Sequence, residues 1–202
     1  MVDRTQGALP LRAMGVAAVL AALAVVMVTG ALRVALPDEP VPVASESTPS
    51  PIASSAAEWL QAGLDQYAAG DLVGAEVSFA TAAELDPSDA VAVFNVGTVR
   101  DAQGDAAGAV DLYSRALALD PQFAEARFNL AVVRARLGDA KGAKKDYRAV
   151  LELNPDYAAA SWNLGLLLYE EGRVRAARGF LNRAIELEST YADRLPEGVK
   201  LS

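Results

Sequence analysis

The sequence predicts an all-α protein of 202 residues with three consecutive parts. These are a single N-terminal transmembrane helix, a Pro/Ser-rich linker and a solenoid of about four 34-residue helix-turn-helix repeats. Three observations predict this arrangement. Residues 13–32 form an uncharged apolar run, residues 33–55 are rich in proline and serine, and residues 56–189 repeat with a period of 34.

The apolar run at residues 13–32 has the length of a membrane-spanning helix. It lies between Arg12 and Arg33 and contains no charged residue. Twenty helical residues at about 1.5 Å each span about 30 Å, the thickness of the hydrocarbon core of a bilayer. A cleaved signal peptide is the alternative, with Val28-Thr29-Gly30 or Thr29-Gly30-Ala31 as a small-residue cleavage site. Its apolar core is usually shorter, about 7–15 residues, so we favour an uncleaved signal anchor.

The charges beside this run predict its orientation. Residues 1–12 hold Arg4, Arg12 and the amino terminus against Asp3, whereas acidic residues outnumber basic ones in the linker. Positively charged flanks stay on the cytoplasmic side of a membrane. We therefore expect a single-pass protein of the cell membrane, with residues 1–12 as a cytoplasmic tail and the repeat domain outside the cytoplasm.

The linker at residues 33–55 has the composition of a disordered segment. Five prolines and several serines prevent it from forming a stable helix or a core. An extended Pro-rich chain rises about 3.1 Å per residue, so the twenty residues 37–56 reach up to about 60 Å. We expect it to hold the repeats away from the bilayer.

Four kinds of residue recur at intervals of 34 in the rest of the chain. They are Pro87, Pro121 and Pro155; Gly70, Gly104, Gly138 and Gly172; Ala75, Ala109, Ala143 and Ala177; and Phe79, Tyr113, Tyr147 and Leu181. Apolar residues at helical spacing on both sides of each glycine predict two helices in every unit. No unit can bury its apolar stripe alone, so stacking of the units has to form one continuous core.

The period divides the array into units at residues 56–89, 90–123, 124–157 and 158–189, and residues 190–202 form a C-terminal cap or tail. A 34-residue helix-turn-helix with a small residue, Gly-Asp, alanine, an aromatic residue, alanine and proline at these offsets resembles the tetratricopeptide repeat. The resemblance implies a right-handed superhelix whose first helices line a concave groove. In this family the groove usually binds a peptide or helix of another protein.

The groove positions implied by the resemblance carry an aromatic and aliphatic ridge beside a row of side-chain amides. Amides can bond the backbone of a bound segment, and aromatic rings can bury its side chains. Packing between the units is the alternative role for both, above all for the aromatic rings. The predicted partner-binding residues are Leu60, Gln61, Leu64, Phe94, Asn95, Thr98, Asp101, Phe128, Asn129, Val132, Trp162, Asn163, Leu166 and Tyr169.

The composition excludes enzyme chemistry that depends on cysteine or histidine. The chain has no cysteine and no histidine, which rules out disulfides, Cys/His metal sites and His-based catalytic pairs. Glu170 and Glu171 are neighbours on a predicted helix and point about 100° apart, so they do not face one shared bond as glycosidase carboxylates do. We expect no enzymatic activity, no cofactor and no metal site.

The charge distribution bears on the kind of partner. A formal net charge of −8 at pH 7 does not suit a nucleic-acid partner. Residues 57–123 hold 11 acidic and 2 basic residues, whereas residues 124–202 hold 11 acidic and 13 basic ones. We expect a basic cluster in the third unit to face the convex side, either solvated or docked on an acidic protein or lipid head groups. This cluster consists of Lys141, Lys144, Lys145 and Arg148.

Taken together, these features resemble membrane-anchored bacterial envelope scaffolds of the tetratricopeptide repeat family. We expect a membrane-tethered scaffold that binds a peptide or helix of a partner protein during assembly of an envelope complex. One alternative is a constitutive accessory subunit of a membrane complex, held largely by residues 13–32. A second is a structural protein that forms homo-oligomers through the ends of the array, near Phe180 and Ile185.

Overall fold

The computed structural model describes residues 55–195, which form eight α-helices and a short 3-10 helix. The helices are α1 (Ala56–Ala68), α2 (Leu72–Leu85), α3 (Ala90–Ala102), α4 (Ala106–Leu119), α5 (Ala124–Arg136), α6 (Ala140–Leu153), α7 (Ala158–Glu170) and α8 (Val174–Leu187), and the 3-10 helix is Ser189–Arg194. Each helix packs mainly on its partner in the same unit and then on the next helix along the chain. The all-helical repeat solenoid predicted from the sequence is therefore confirmed.

The predicted cytoplasmic tail at residues 1–12 and transmembrane helix at residues 13–32 lie outside the described residues. So do nearly all of the linker and residues 196–202. Between residues 55 and 195, no helix combines the length and the apolar character that a membrane span requires. The membrane helix and its orientation stay predictions.

Each unit turns between its two helices at a glycine with a left-handed backbone. Gly104, for example, has a φ of +88°, a conformation that residues with a Cβ rarely adopt. The next residue, Asp105, caps α4 by accepting a hydrogen bond from the Gly108 amide at 2.9 Å. A Cβ on Gly108 would collide with that carboxylate. The Gly-Asp-x-x-Gly pattern of the first three units therefore specifies the turn and the helix cap together.

The two helices of a unit approach closely where the first helix carries a small residue. A Cβ on Gly63 would lie 2.5 Å from the Phe79 ring, and one on Gly97 would lie 3.0 Å from the Tyr113 ring. Both rings are almost completely buried. The glycines thus let the large residue of the second helix reach the axis of the unit, which explains why the two positions recur together.

An aromatic pair closes the junction after each of the last three units. The pairs are Phe94–Phe123 with ring centroids 4.9 Å apart, Phe128–Tyr157 at 4.9 Å and Trp162–Tyr191 at 4.8 Å. Phe123 and Tyr157 stand immediately before α5 and α7. Tyr191 lies in the 3-10 helix, so this segment occupies the place where a fifth unit would begin. It covers the apolar end of the array around Leu181.

Candidate partner-binding groove

The fourteen predicted groove residues lie on the first helices of the four units, α1, α3, α5 and α7. Residues at equal positions in these helices form rows along one face of the solenoid, as expected for stacked repeats. Nine side chains are at least partly accessible: Leu60, Gln61, Leu64, Asp101, Asn129, Val132, Asn163, Leu166 and Tyr169. Five are buried: Phe94, Asn95, Thr98, Phe128 and Trp162.

The aromatic row of this face packs as core in the free protein. Phe94, Phe128 and Trp162 are only 2%, 8% and 3% exposed, because each ring packs against an aromatic residue that follows the second helix of its own unit. These rings form the floor of the face and offer a partner little surface. Accessible apolar surface comes instead from the row one turn further along the helices, which holds Leu64, Val132 and Leu166.

Two asparagines of the amide row connect neighbouring units. The Asn129 side chain is hydrogen-bonded to the Tyr113 hydroxyl, and the Asn163 side chain to the Tyr147 hydroxyl. Each tyrosine belongs to the second helix of the preceding unit. Asn95 has no such phenol partner, because Phe79 stands at the corresponding place in the first unit. Two of the three amides therefore already have a structural partner before any ligand binds.

Asp101 forms the charged centre of the face. Its carboxylate, with a side chain only 9% exposed, is paired with the guanidinium of Arg136 on α5 and so ties the second unit to the third. Burial, and after it the nearby charge of Asp101, raises the pKa of Tyr67. Arg136 was not among the predicted residues. The sequence indicates this pair only through spacing, since Arg136 stands one residue beyond the repeat position of Asp101 in the next unit.

No metal-binding site is found on this face or elsewhere between residues 55 and 195. The acidic side chains in that range do not gather into a group of three or more that could hold a metal ion. Glu171, one of the two adjacent glutamates, is instead paired with Lys144 of the preceding unit.

Three buried tyrosines predict that stability is lost at alkaline pH. Burial raises the pKa of Tyr157 to about 12 and also raises the pKa of Tyr113 and of Tyr147, compared with about 10 in an unfolded chain. The folded state holds these protons more tightly, so their contribution is complete below about pH 10 and disappears as the pH rises through the folded pKa values. We expect phenolate absorbance and loss of helical circular dichroism to develop together above about pH 10. Complete ionisation near pH 10 with intact helices would contradict this expectation.

The geometry defines a class of protein: a solenoid of helix pairs whose first helices present one continuous face. Two family models identify the repeat within that class. A model described as "TPR repeat" matches residues 97–138, and one described as "Tetratricopeptide repeat" matches residues 128–192. Residues 97–192 of this chain therefore match models of the tetratricopeptide repeat, as their spacing in the sequence implied.

Solved structures share this fold. A crystal structure of MamA is 24% identical, with 68% of this chain and 81% of that chain covered and a TM-score of 0.63. A tetratricopeptide repeat protein from Parabacteroides merdae ATCC 43184 is 26% identical, with 66% and 54% covered and a TM-score of 0.61. MamA from Desulfovibrio magneticus RS-1 is 20% identical, with 69% and 81% covered and a TM-score of 0.63. The likeness to the MamA structures shows the fold alone. No curated protein matches the sequence.

Proposed function

We propose that this protein is a non-enzymatic scaffold that holds a partner protein against the face formed by α1, α3, α5 and α7. Residues 13–32 tether it to the cell membrane with the repeats on the extracytoplasmic side. The tetratricopeptide array supports the first statement, since solenoids of this kind use extended concave surfaces for binding. The uncharged apolar run and its positive N-terminal flank support the second. A component of an envelope assembly is then the expected partner.

The row of half-buried aliphatic side chains carries the proposal. Leu64, Val132 and Leu166 recur at one helix position and border three different apolar clusters, so their outer surfaces stay partly accessible above a well-packed core. Tyr169 and Asp101 lie on the same face. An extended or helical segment can bury apolar side chains on such a row, while the polar groups beside it fix its orientation.

Purification of the full chain with its partners tests the groove. We expect one partner to co-purify after gentle solubilisation and to be lost from the double variant Val132→Gln and Leu166→Gln. The matched control is Val73→Gln with Val77→Gln, because these valines are 73% and 57% exposed on α2 and lie outside the face. The control should retain the partner. Retention by both variants, with unchanged melting temperatures, would mean that the groove does not carry the contact.

A second arm tests the tether and separates the alternatives. Deleting residues 13–32 should move the protein from the membrane fraction to the soluble fraction and leave partner binding intact. Loss of the partner together with the membrane segment would instead favour an accessory subunit held through its transmembrane helix.

A further inference from the structure

A solvent-open pocket of about 320 Å³ lies on the face of the second helices, at the junction of the third and fourth units. It sits between α6 and α8, and α7 contributes its floor. The residues that define it are Leu151, Pro155, Ser161, Gly179, Phe180 and Arg183. Its lining is mainly apolar, and its volume falls at the lower end of the range of about 300–1,000 Å³ that is typical of binding sites. The predicted groove residues do not contribute to it.

Two small residues distinguish this junction from the others. The repeat position of Ser161 is occupied by Val93 in the second unit and by Arg127 in the third. A Cβ on Gly179 would meet no atom within 4 Å, so packing does not require glycine at this place. Glycine nevertheless weakens the interior of a helix. The repeat position of Gly179 holds the exposed residues Val77, Asp111 and Lys145 in the other units. The pocket thus owes its depth to Ser161, and Gly179 leaves its rim open.

Arginines without a carboxylate partner lie one turn away from two residues of the lining, whereas Arg183, which lines the pocket itself, is paired with Asp156 and Glu186. Arg148 lies one turn before Leu151 on α6, and Arg175 lies one turn before Gly179 on α8. Neither arginine takes part in the ion pairs found between residues 55 and 195. The same is true of two lysines earlier on α6, Lys141 and Lys145. The pocket is thus apolar in its centre. Unpaired cations precede its lining residues on α6 and α8, and the paired Arg183 lies at its other side.

We infer that this pocket is a second docking site, which takes an acidic amphipathic segment of a partner protein. One aliphatic side chain of that segment enters the space beside Gly179, and its carboxylates lie along Arg148 and Arg175. An apolar anchor in a pocket supplies most of the affinity of such contacts, and complementary charge supplies specificity and a fast, salt-sensitive association. The pocket favours a protein segment as the occupant, because an apolar side chain can fill it. Lipid head groups would need only the cations and would leave the pocket empty. The site is separate from the groove, so a scaffold with both sites can hold two segments at once.

The test uses the full-length protein in a neutral detergent and a displayed library of helical peptides. We expect the selected peptides to be enriched in glutamate or aspartate around one leucine, isoleucine or phenylalanine. Their affinity should fall about tenfold or more when that apolar residue is changed to serine. It should fall similarly for the protein variant Arg148→Glu with Arg175→Glu. Selection of peptides without the acidic pattern would overturn the inference.

Two substitutions at one position provide the decisive control. Gly179→Leu fills the pocket and should abolish peptide binding, whereas Gly179→Ala adds only a methyl group and should retain it. Both changes improve helix propensity, so the melting temperature should not decrease in either variant. Equal binding to both variants would overturn the inference. The groove variant Val132→Gln with Leu166→Gln should bind these peptides normally, which separates this site from the proposed function.

The same variants identify other occupants. Vesicles of phosphatidylglycerol that bind the wild type and Gly179→Leu equally, in the absence of any selected peptide, would assign the cations to lipid and overturn the inference. A concentration-dependent dimer that disappears in Gly179→Leu would assign the pocket to a second copy of this chain, with the same consequence.

Discussion

Replacing Phe94 with alanine is expected to lower the free energy of unfolding by about 3–5 kcal/mol. Phe94 is 2% exposed and contacts two rings, Tyr113 with centroids 5.6 Å apart and Phe123 with centroids 4.9 Å apart. These rings belong to the second unit and to the start of the third. The truncation therefore leaves a cavity at a junction, where the stability of stacked repeats depends on contact between neighbours.

Urea unfolding followed by circular dichroism measures this effect. The control is Val73→Ala, since a valine that is 73% exposed should change the free energy by less than about 0.5 kcal/mol. A loss below about 1 kcal/mol for Phe94→Ala would mean that the ring is not part of the core. The aromatic row would then be available to a ligand, as the sequence had also allowed.

Replacing Asp146 with alanine is expected to lower the free energy of unfolding by about 2–3 kcal/mol. Asp146 is 4% exposed and lies between Arg134, with a closest N–O distance of 2.5 Å, and Arg127, at 3.9 Å. Breaking a buried ion pair by removing one partner typically costs about 3–5 kcal/mol. The value expected here is smaller because the two arginine side chains are 23% and 30% exposed and water can solvate them in part.

The second unit shows how the lost stability can be restored in part. It has Val93 and Leu112 at the positions of Arg127 and Asp146. The double variant Arg127→Val with Asp146→Leu should therefore be more stable than Asp146→Ala, because apolar residues of similar size can often replace a buried ion pair. It should remain below the wild type, because Arg134 still loses its closest partner. If the double variant is as unstable as Asp146→Ala, the third unit needs the ionic arrangement for a reason other than packing. Asp156→Ala, which removes an exposed ion pair with Arg183, should change stability by less than about 1 kcal/mol.

The sequence predicted the fold well because the signals that specify it are local. The Gly104-Asp105 turn, the Ala109 contact and the aromatic residue at 113 act within one unit and recur at a constant interval. A repeat of this kind can be recognised in the sequence without knowledge of the tertiary contacts. The start and end of each helix follow from it, since the turn glycine and the proline after the second helix limit both helices.

The surface was harder to predict because exposure depends on the neighbouring unit. Phe94 lies on the first helix with the groove positions, yet it is covered by Phe123, which stands directly before the first helix of the following unit. The Asn129 amide bonds the Tyr113 hydroxyl of the preceding unit, and periodicity alone does not show that pairing. The pocket beside Gly179 depends on volume that side chains leave empty, which no single motif in the sequence describes.

The stacking of Tyr191 on Trp162 has a consequence for the length of the array. The third and fourth units are introduced by an aromatic residue, Phe123 and Tyr157, and Tyr191 occupies the same repeat position after α8. Pro196 then follows at the register position of Trp162, where a helix interior would exclude it. In the third and fourth units a helix follows this aromatic residue, whereas Tyr191 lies within the 3-10 helix Ser189–Arg194, which covers the apolar end around Leu181. Another helix pair could therefore pack on this end of the solenoid only if that segment moved away.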